Sequence, residues 1–224
     1  MKTIGILGGL SPQTTARLYL EIANAKEFKE YPPILISNVC FPKGVDKRII
    51  KNEEDVSLML TPLINSVNQL KKAGADFIVL PCNTLEDLSQ KIISKTGVKL
   101  LTPVKETCEE LNLSNTNKVG LIATSKTREL RLYEKKLPKI NVSYPPLEDQ
   151  LEISAIINRI ISHEVKKGDK IFLKNLINQF KHDGCEKVIL GCTDLSILVK
   201  ENDFILDSFL VLLNKIKNIL INKI

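Results

Sequence analysis

A short apolar run ending in a cysteine occurs twice in this chain, and the repetition limits what the chain can become. Phe77-Ile-Val-Leu-Pro-Cys82-Asn-Thr84 is echoed about 110 residues later by Lys187-Val-Ile-Leu-Gly-Cys192-Thr193-Asp194. Each run reads as a buried strand, carries a hydroxyl residue one or two positions after the thiol, and is followed by an amphipathic stretch that reads as a helix. A second echo has a similar offset: Val119-Gly120-Leu-Ile-Ala-Thr124-Ser125-Lys126-Thr127 has the shape of Ile4-Gly5-Ile-Leu-Gly-Gly-Leu-Ser11. Two echoes in the same order indicate internal duplication. Strands alternating with helices give an α/β protein with parallel sheets, here in two pseudo-equivalent halves that face each other. Ligands of such sheets bind beyond the carboxyl ends of the strands, where both cysteines fall.

Local signals fill in the halves. Ile4 to Leu7 is a strand, Ser11 is a good N-cap and Pro12 suits the first helical position. Ile34 to Val39 is a second strand. Cys40 to Arg48 reads as an irregular basic loop, broken by Pro42 and Gly44. Val56 to Leu70 keeps a helical stripe that Pro62 kinks or restarts. Leu151 to Val165 reads as a helix closed by Lys166-Lys167-Gly168, and Asp169 starts the next. Asp207 to Ile224 is a strongly apolar-striped helix outside the second repeat, expected to pack back on the first half. The expected division is therefore residues 1–98 plus 208–224 for one domain and 99–207 for the other.

Several function classes drop out. The net charge of +6 comes from lysines scattered over helical faces, without the basic and aromatic clustering of a nucleic-acid surface. The glycines at 5, 8 and 9 have the wrong spacing for a dinucleotide fingerprint, and no phosphate-binding P-loop occurs. No stretch is long enough to span a membrane. Five cysteines without a secretory leader point to reduced thiols in the cytoplasm. Neither repeated cysteine lies in a C-x-x-C motif, and His163 and His182 are far from both in sequence, so redox exchange and metal binding are disfavoured. Cys40, Cys108 and Cys185 read as packed small residues.

The repeated thiols carry the chemistry. A cysteine just before a helix N-terminus is expected to have its pKa lowered from about 8.5 toward neutral. A thiolate on one face of a carbon acid and a thiol on the other would invert a stereocentre, one removing the α-proton and the other returning one. Arg48 and Lys166 read at this level as surface charges.

The chain resembles the aspartate/glutamate racemase family, which works without pyridoxal phosphate. Gly5-Ile-Leu-Gly-Gly-Leu-Ser-Pro12, Pro81-Cys-Asn-Thr84, Gly120-Leu-Ile-Ala-Thr124 and Leu190-Gly-Cys-Thr-Asp194 match its motifs in order over essentially the whole chain. The resemblance implies two Rossmann-like domains with the site between them, a homodimer, no cofactor, and Cys82 and Cys192 as the acid/base pair. Aspartate racemases are the nearer branch. By that analogy Arg48 and Lys166 hold the side-chain carboxylate of aspartate. Ser11, Asn83, Thr84, Thr124, Thr127 and Thr193 hold the α-carboxylate and ammonium, with Asn38 a weaker candidate. The chain departs from the family pattern at Leu85-Glu86, commonly Ala-His, and at Lys126, commonly Gly. Glutamate or broad acidic specificity is the alternative within the class, and a non-catalytic amino-acid-binding protein is the alternative outside it.

Overall fold

A computed structural model describes residues 1–221. It contains two four-stranded sheets, and every strand pair in them is parallel. The first sheet has the order β2-β1-β3-β4, from β1 (Ile4–Leu7), β2 (Ile34–Ser37), β3 (Phe77–Val79) and β4 (Leu100–Leu101). The second has the order β6-β5-β7-β8, from β5 (Lys118–Ala123), β6 (Asn141–Ser143), β7 (Lys187–Gly191) and β8 (Ile205–Asp207). The orders are identical once the second set is renumbered, as duplication requires. In register, Ile4 lies opposite Phe77 in one sheet and Val119 opposite Lys187 in the other. β1 is buried end to end and β7 from Val188 onward, which fits continuous apolar runs covered on both faces. The expected boundary at 98/99 falls just before β4, whose pairing with β3 carries the first sheet on to Leu101.

The helices follow from their caps and stripes. In α1 (Pro12–Ala23) the Ser11 hydroxyl accepts from the Thr14 N–H at 3.3 Å, and Pro12 occupies the first position. Such a cap is worth about 1 kcal/mol. The 56–70 stripe becomes a single 3-10 turn (Val56–Met59) followed by α3 (Leu60–Lys72), so Pro62 sits in a first turn rather than at a kink. The basic loop expected at 40–48 is corrected in part. Val45–Lys51 forms a two-turn helix, α2, because Val45, Ile49 and Ile50 share a face that packs against the second half. α4 (Ser89–Thr96) and α5 (Pro103–Asn112) complete the run between the sheets. In the second half come α6 (Ser125–Glu129), α7 (Leu147–Ile161) and α8 (Lys167–His182). Lys166 is therefore the N-cap residue of α8 instead of closing the preceding helix.

The last helix, α9 (Ser208–Ile221), returns to the first half. Phe209, Leu212, Leu213 and Ile216 share a buried cluster with Ile4, Ile6 and Leu18. Residues 222–224 of the expected terminal helix and domain segment lie outside the described residues. A larger cluster runs through the contact between the halves and includes Leu10, Ile50, Ile157, Ile161 and both repeated cysteines. No helix of the described residues is long and apolar enough to cross a membrane.

Candidate active site

The carboxyl ends of both sheets meet. Cys82 follows β3 and Cys192 follows β7, and both line one small cavity with Ser11, Asn83, Thr84, Thr124, Thr193 and Asp194. Leu10, Ile50, Ile157 and Ile161 close its apolar side. The enclosed space is about 20 Å³, room for roughly one water molecule. The halves are thus shut over the thiols, and a ligand larger than a water molecule enters only if they part.

Backbone geometry brings the first thiol in closely. A Cβ on Gly9 would stand 2.7 Å from the Cβ of Cys82 and 3.5 Å from its sulfur. The glycine turn after β1 therefore serves close approach to the cysteine. Pro81 and Thr193 tie the two cysteine segments together, the Thr193 hydroxyl donating to the Pro81 carbonyl at 3.2 Å.

The electrostatics differ from the sequence expectation. Burial pushes the Cys82 thiol up, against backbone hydrogen bonds from Leu10, Leu85 and Thr84 that oppose the shift. Burial pushes Cys192 well up, and the neighbouring Asp194 charge adds to it. The expected lowering toward neutral is not found in the closed cleft, because desolvation outweighs the local dipoles. The dipoles are also weaker than the sequence implied. Cys192 is followed by one 3-10 turn (Leu195–Ile197), and Cys82 by a longer 3-10 segment (Thr84–Leu88) before α4.

Hydroxyls from both halves form a buried triangle. Thr84 Oγ1 lies 3.0 Å from Thr124 Oγ1 and 3.3 Å from Thr127 Oγ1, and the last two are 2.9 Å apart. Thr124 also caps α6 by accepting from the Thr127 N–H at 3.1 Å. Thr84 and Thr124 line the cavity, whereas Thr127 stands behind them. Asn83 is fixed at both ends of its amide. The Tyr133 hydroxyl donates to its Oδ1 at 2.6 Å, and its Nδ2 donates to Ser208 Oγ at 3.1 Å. Ser208 in turn donates to the Leu190 carbonyl at 2.7 Å.

Other expected residues lie elsewhere. Arg48 is on the outer side of α2, in a half-exposed ion pair with Glu54 at 3.5 Å. Lys166 is exposed at the start of α8, where its backbone N–H donates to Asp169 at 2.9 Å. Asp169 also takes two hydrogen bonds from Arg159, at 2.7 and 3.0 Å. Asn38 is exposed past β2, outside the cavity lining. Cys108 and Cys185 are buried as expected, with Cys108 pushed up to about 12 by burial, while Cys40 is exposed. Of the departures from the family pattern, Glu86 is buried and meets Lys136 Nζ at 3.1 Å, and Lys126 is buried at the start of α6.

Sequence reading missed three residues of the site. Tyr133, fully buried, had no motif to mark it. Thr14 reads as an ordinary first-turn residue. Asp194 was visible: it occupies the register of Thr84 in the echo, two positions after the thiol, so a carboxylate there was a signal. In the structure Ser11 and Thr14 donate to its Oδ1 at 2.7 and 2.6 Å, and the Cys192 thiol faces its Oδ2 at 3.8 Å. Ser11 is thereby engaged with Asp194.

Comparison with known proteins gives a consistent picture. Residues 7–215 match the family described as Asp/Glu/Hydantoin racemase. The broad specificity amino-acid racemase RacX of Bacillus subtilis (strain 168) is 29% identical over 141 residues. That match spans 60% of this chain and 60% of the relative's own length. An aspartate racemase homologue from Pyrococcus horikoshii OT3 superposes with a TM-score of 0.78 at 28% identity, over 98% of this chain and 99% of that one. The aspartate racemase of Picrophilus torridus gives a TM-score of 0.79 at 21% identity, over 96% of this chain and 92% of that one, a likeness of fold.

Proposed function

The chain belongs to the Asp/Glu/Hydantoin racemase family, and from that premise we propose that it is an amino-acid racemase that interconverts L- and D-aspartate by a two-base thiol/thiolate mechanism. The observation that carries the reading is the meeting of Cys82 and Cys192 in one closed cavity, each delivered by the equivalent strand of a duplicated half. In this reading one sulfur, as thiolate, takes the α-proton. The resulting carbanion is delocalised into the α-carboxylate, where N–H and O–H donors from Asn83, Thr84, Thr124 and Thr193 stabilise the developing charge. The other sulfur, as thiol, returns a proton to the opposite face. The protonation states of the two sulfurs are exchanged in each turnover. Closure expels water, which otherwise would quench the carbanion or scramble its proton.

Arg48 and Lys166 are the cations proposed for the side-chain carboxylate, with Thr127 and Ser11 supporting the site and Asn38 at its periphery. Both cations are exposed and neither lines the cavity. Ile50 of the lining is on the same helix as Arg48, and Ile161 of the lining lies shortly before Lys166. Parting and reclosure of the halves would have to turn them inward.

A second reading, a racemase of broad amino-acid specificity, is favoured by one observation: among the described residues no Lys, Arg or His lines the cavity. The RacX relative bears a name of that kind. In deuterated water the wild-type protein should wash the α-proton out of aspartate while optical rotation is lost. Cys82→Ser and Cys192→Ser should each reduce racemisation by several orders of magnitude. Undiminished turnover in either variant sinks the two-base reading, and a panel of acidic and neutral amino acids separates the two specificities.

A further inference from the structure

We propose that Asp194 is the seat of the substrate's α-ammonium group, so that the site demands a free amine. The inference rests on the amino-acid reading above and deepens it. Asp194 lines the cavity and is 4% exposed. A buried carboxylate is expected to have a cationic partner, since an unpaired ion in the interior is costly. No Lys, Arg or His of the described residues comes within 4.0 Å of it. Arg17, whose charge reaches Asp194 from outside contact distance, stacks over the Phe209 ring at 3.9 Å and pairs with Glu21 at 4.0 Å. The cavity therefore holds a carboxylate with no cation in contact with it among the described residues, in a site where a zwitterionic ligand brings one.

The hydrogen bonds orient the group for that purpose. Oδ1 is occupied by the hydroxyls of Ser11 and Thr14. Among the described residues Oδ2 has only the weak thiol donor of Cys192 at 3.8 Å and can accept a strong N⁺–H donor. Ser11 and Thr14 come from the first half and Asp194 from the second, so the subsite is completed only when the halves close. An ammonium at Oδ2 would lie beside Cys192, on the same carbon whose proton the thiols exchange. The other polar groups of the lining, Asn83, Thr84, Thr124 and Thr193, are amides and hydroxyls suited to the α-carboxylate. The opposed character of the two sets fixes which end of the amino acid goes where.

The test uses ligand pairs that differ only by the amine: L-aspartate and succinate, L-glutamate and glutarate, L-alanine and propionate. Affinities are measured by calorimetry on the wild-type protein and on Asp194→Asn. The expected result is that wild type binds at least one amine-bearing member about 100-fold more tightly than its partner. In Asp194→Asn that preference should fall to within a few-fold, mainly through loss of amino-acid affinity. Equal wild-type affinities within every pair, or no binding of any amine-bearing member, overturns the proposal. So does an Asp194→Asn protein that loses turnover while keeping the amine preference, because Asp194 would then act on Cys192 alone. If Asp194→Asn fails to fold, Asp194→Ser is measured in its place, and equal affinities within the wild-type pairs overturn the proposal without any variant. An amine preference that follows Asp194 in a protein without α-proton exchange would keep this subsite and reject the racemase.

Discussion

Replacing Gly9 by Ala probes how finely the first thiol is placed. The added Cβ would meet the Cys82 Cβ at 2.7 Å and must retreat to about 3.4 Å, where ordinary contact begins. The obstacle is the base of a cysteine side chain packed in a shut cavity, so it has no flexible end to swing away. Either the turn after β1 or the segment after β3 moves by roughly 0.7 Å, which is 3.4 less 2.7. Overpacking of this kind costs about 1–3 kcal/mol of stability. A loss of 1 kcal/mol corresponds to about 2–4 °C in Tm for a chain of this size. Misplacement of a reacting group by about 1 Å costs on the order of 100-fold in rate, so a shift somewhat smaller than that should lower kcat by about 10- to 100-fold. The assay is the α-proton exchange and optical-rotation measurement, with Tm by calorimetry on the same samples. Gly168→Ala serves as the control, because a Cβ there meets nothing within 4 Å. It should leave kcat unchanged and hold or raise Tm. A Gly9→Ala protein with wild-type kcat would refute the idea that the glycine exists to bring Cys82 to its position.

Two further perturbations test the supports of the site. Tyr133→Phe removes the 2.6 Å hydrogen bond to Asn83 Oδ1 and leaves a buried carbonyl unpaired, so stability should fall by about 1–3 kcal/mol and KM should rise as the amide loses its fixed orientation; unchanged Tm and KM would refute this. For Asp169, the Arg159 guanidinium hydrogen-bonded to it holds the carboxyl below its usual range. The unfolded chain titrates at about 3.9, so the associated stability is present above that pH and is lost as pH falls through the lower folded value. Urea midpoints across acid pH should therefore fall more steeply for wild type than for Asp169→Asn; parallel curves would show that this pair contributes nothing.

Much of the fold could be read from local pattern. The echo of 77–84 in 187–194 predicted two sheets of like construction, and the sheets do share one strand order. Ser11 and Pro12 announced α1 because capping chemistry is local. α2 was hidden because it has only two turns beside Pro42 and Gly44, and its apolar face packs against α6 and α7, which lie far along the chain. The thiols were legible as a pair, but not the direction of their pKa shifts. Burial in a shut cavity depends on Ile50, Ile157 and Ile161, which come from distant parts of the chain. The partnership of Ser11 and Thr14 with Asp194 joins residues about 180 positions apart, beyond any periodicity.

The two sulfurs have unequal neighbours, with backbone donors around Cys82 and a carboxylate beside Cys192. In the proposed reaction, substrate and product are mirror images with equal free energy in water. The equilibrium constant is then unity whatever the protein does, and the Haldane relation makes kcat/KM identical for the two enantiomers. The inequality of the sulfurs can only divide that shared quotient differently between kcat and KM. One enantiomer would saturate the site at lower concentration and turn over more slowly by the same factor. Net flux would be set by whichever process supplies one enantiomer or withdraws the other.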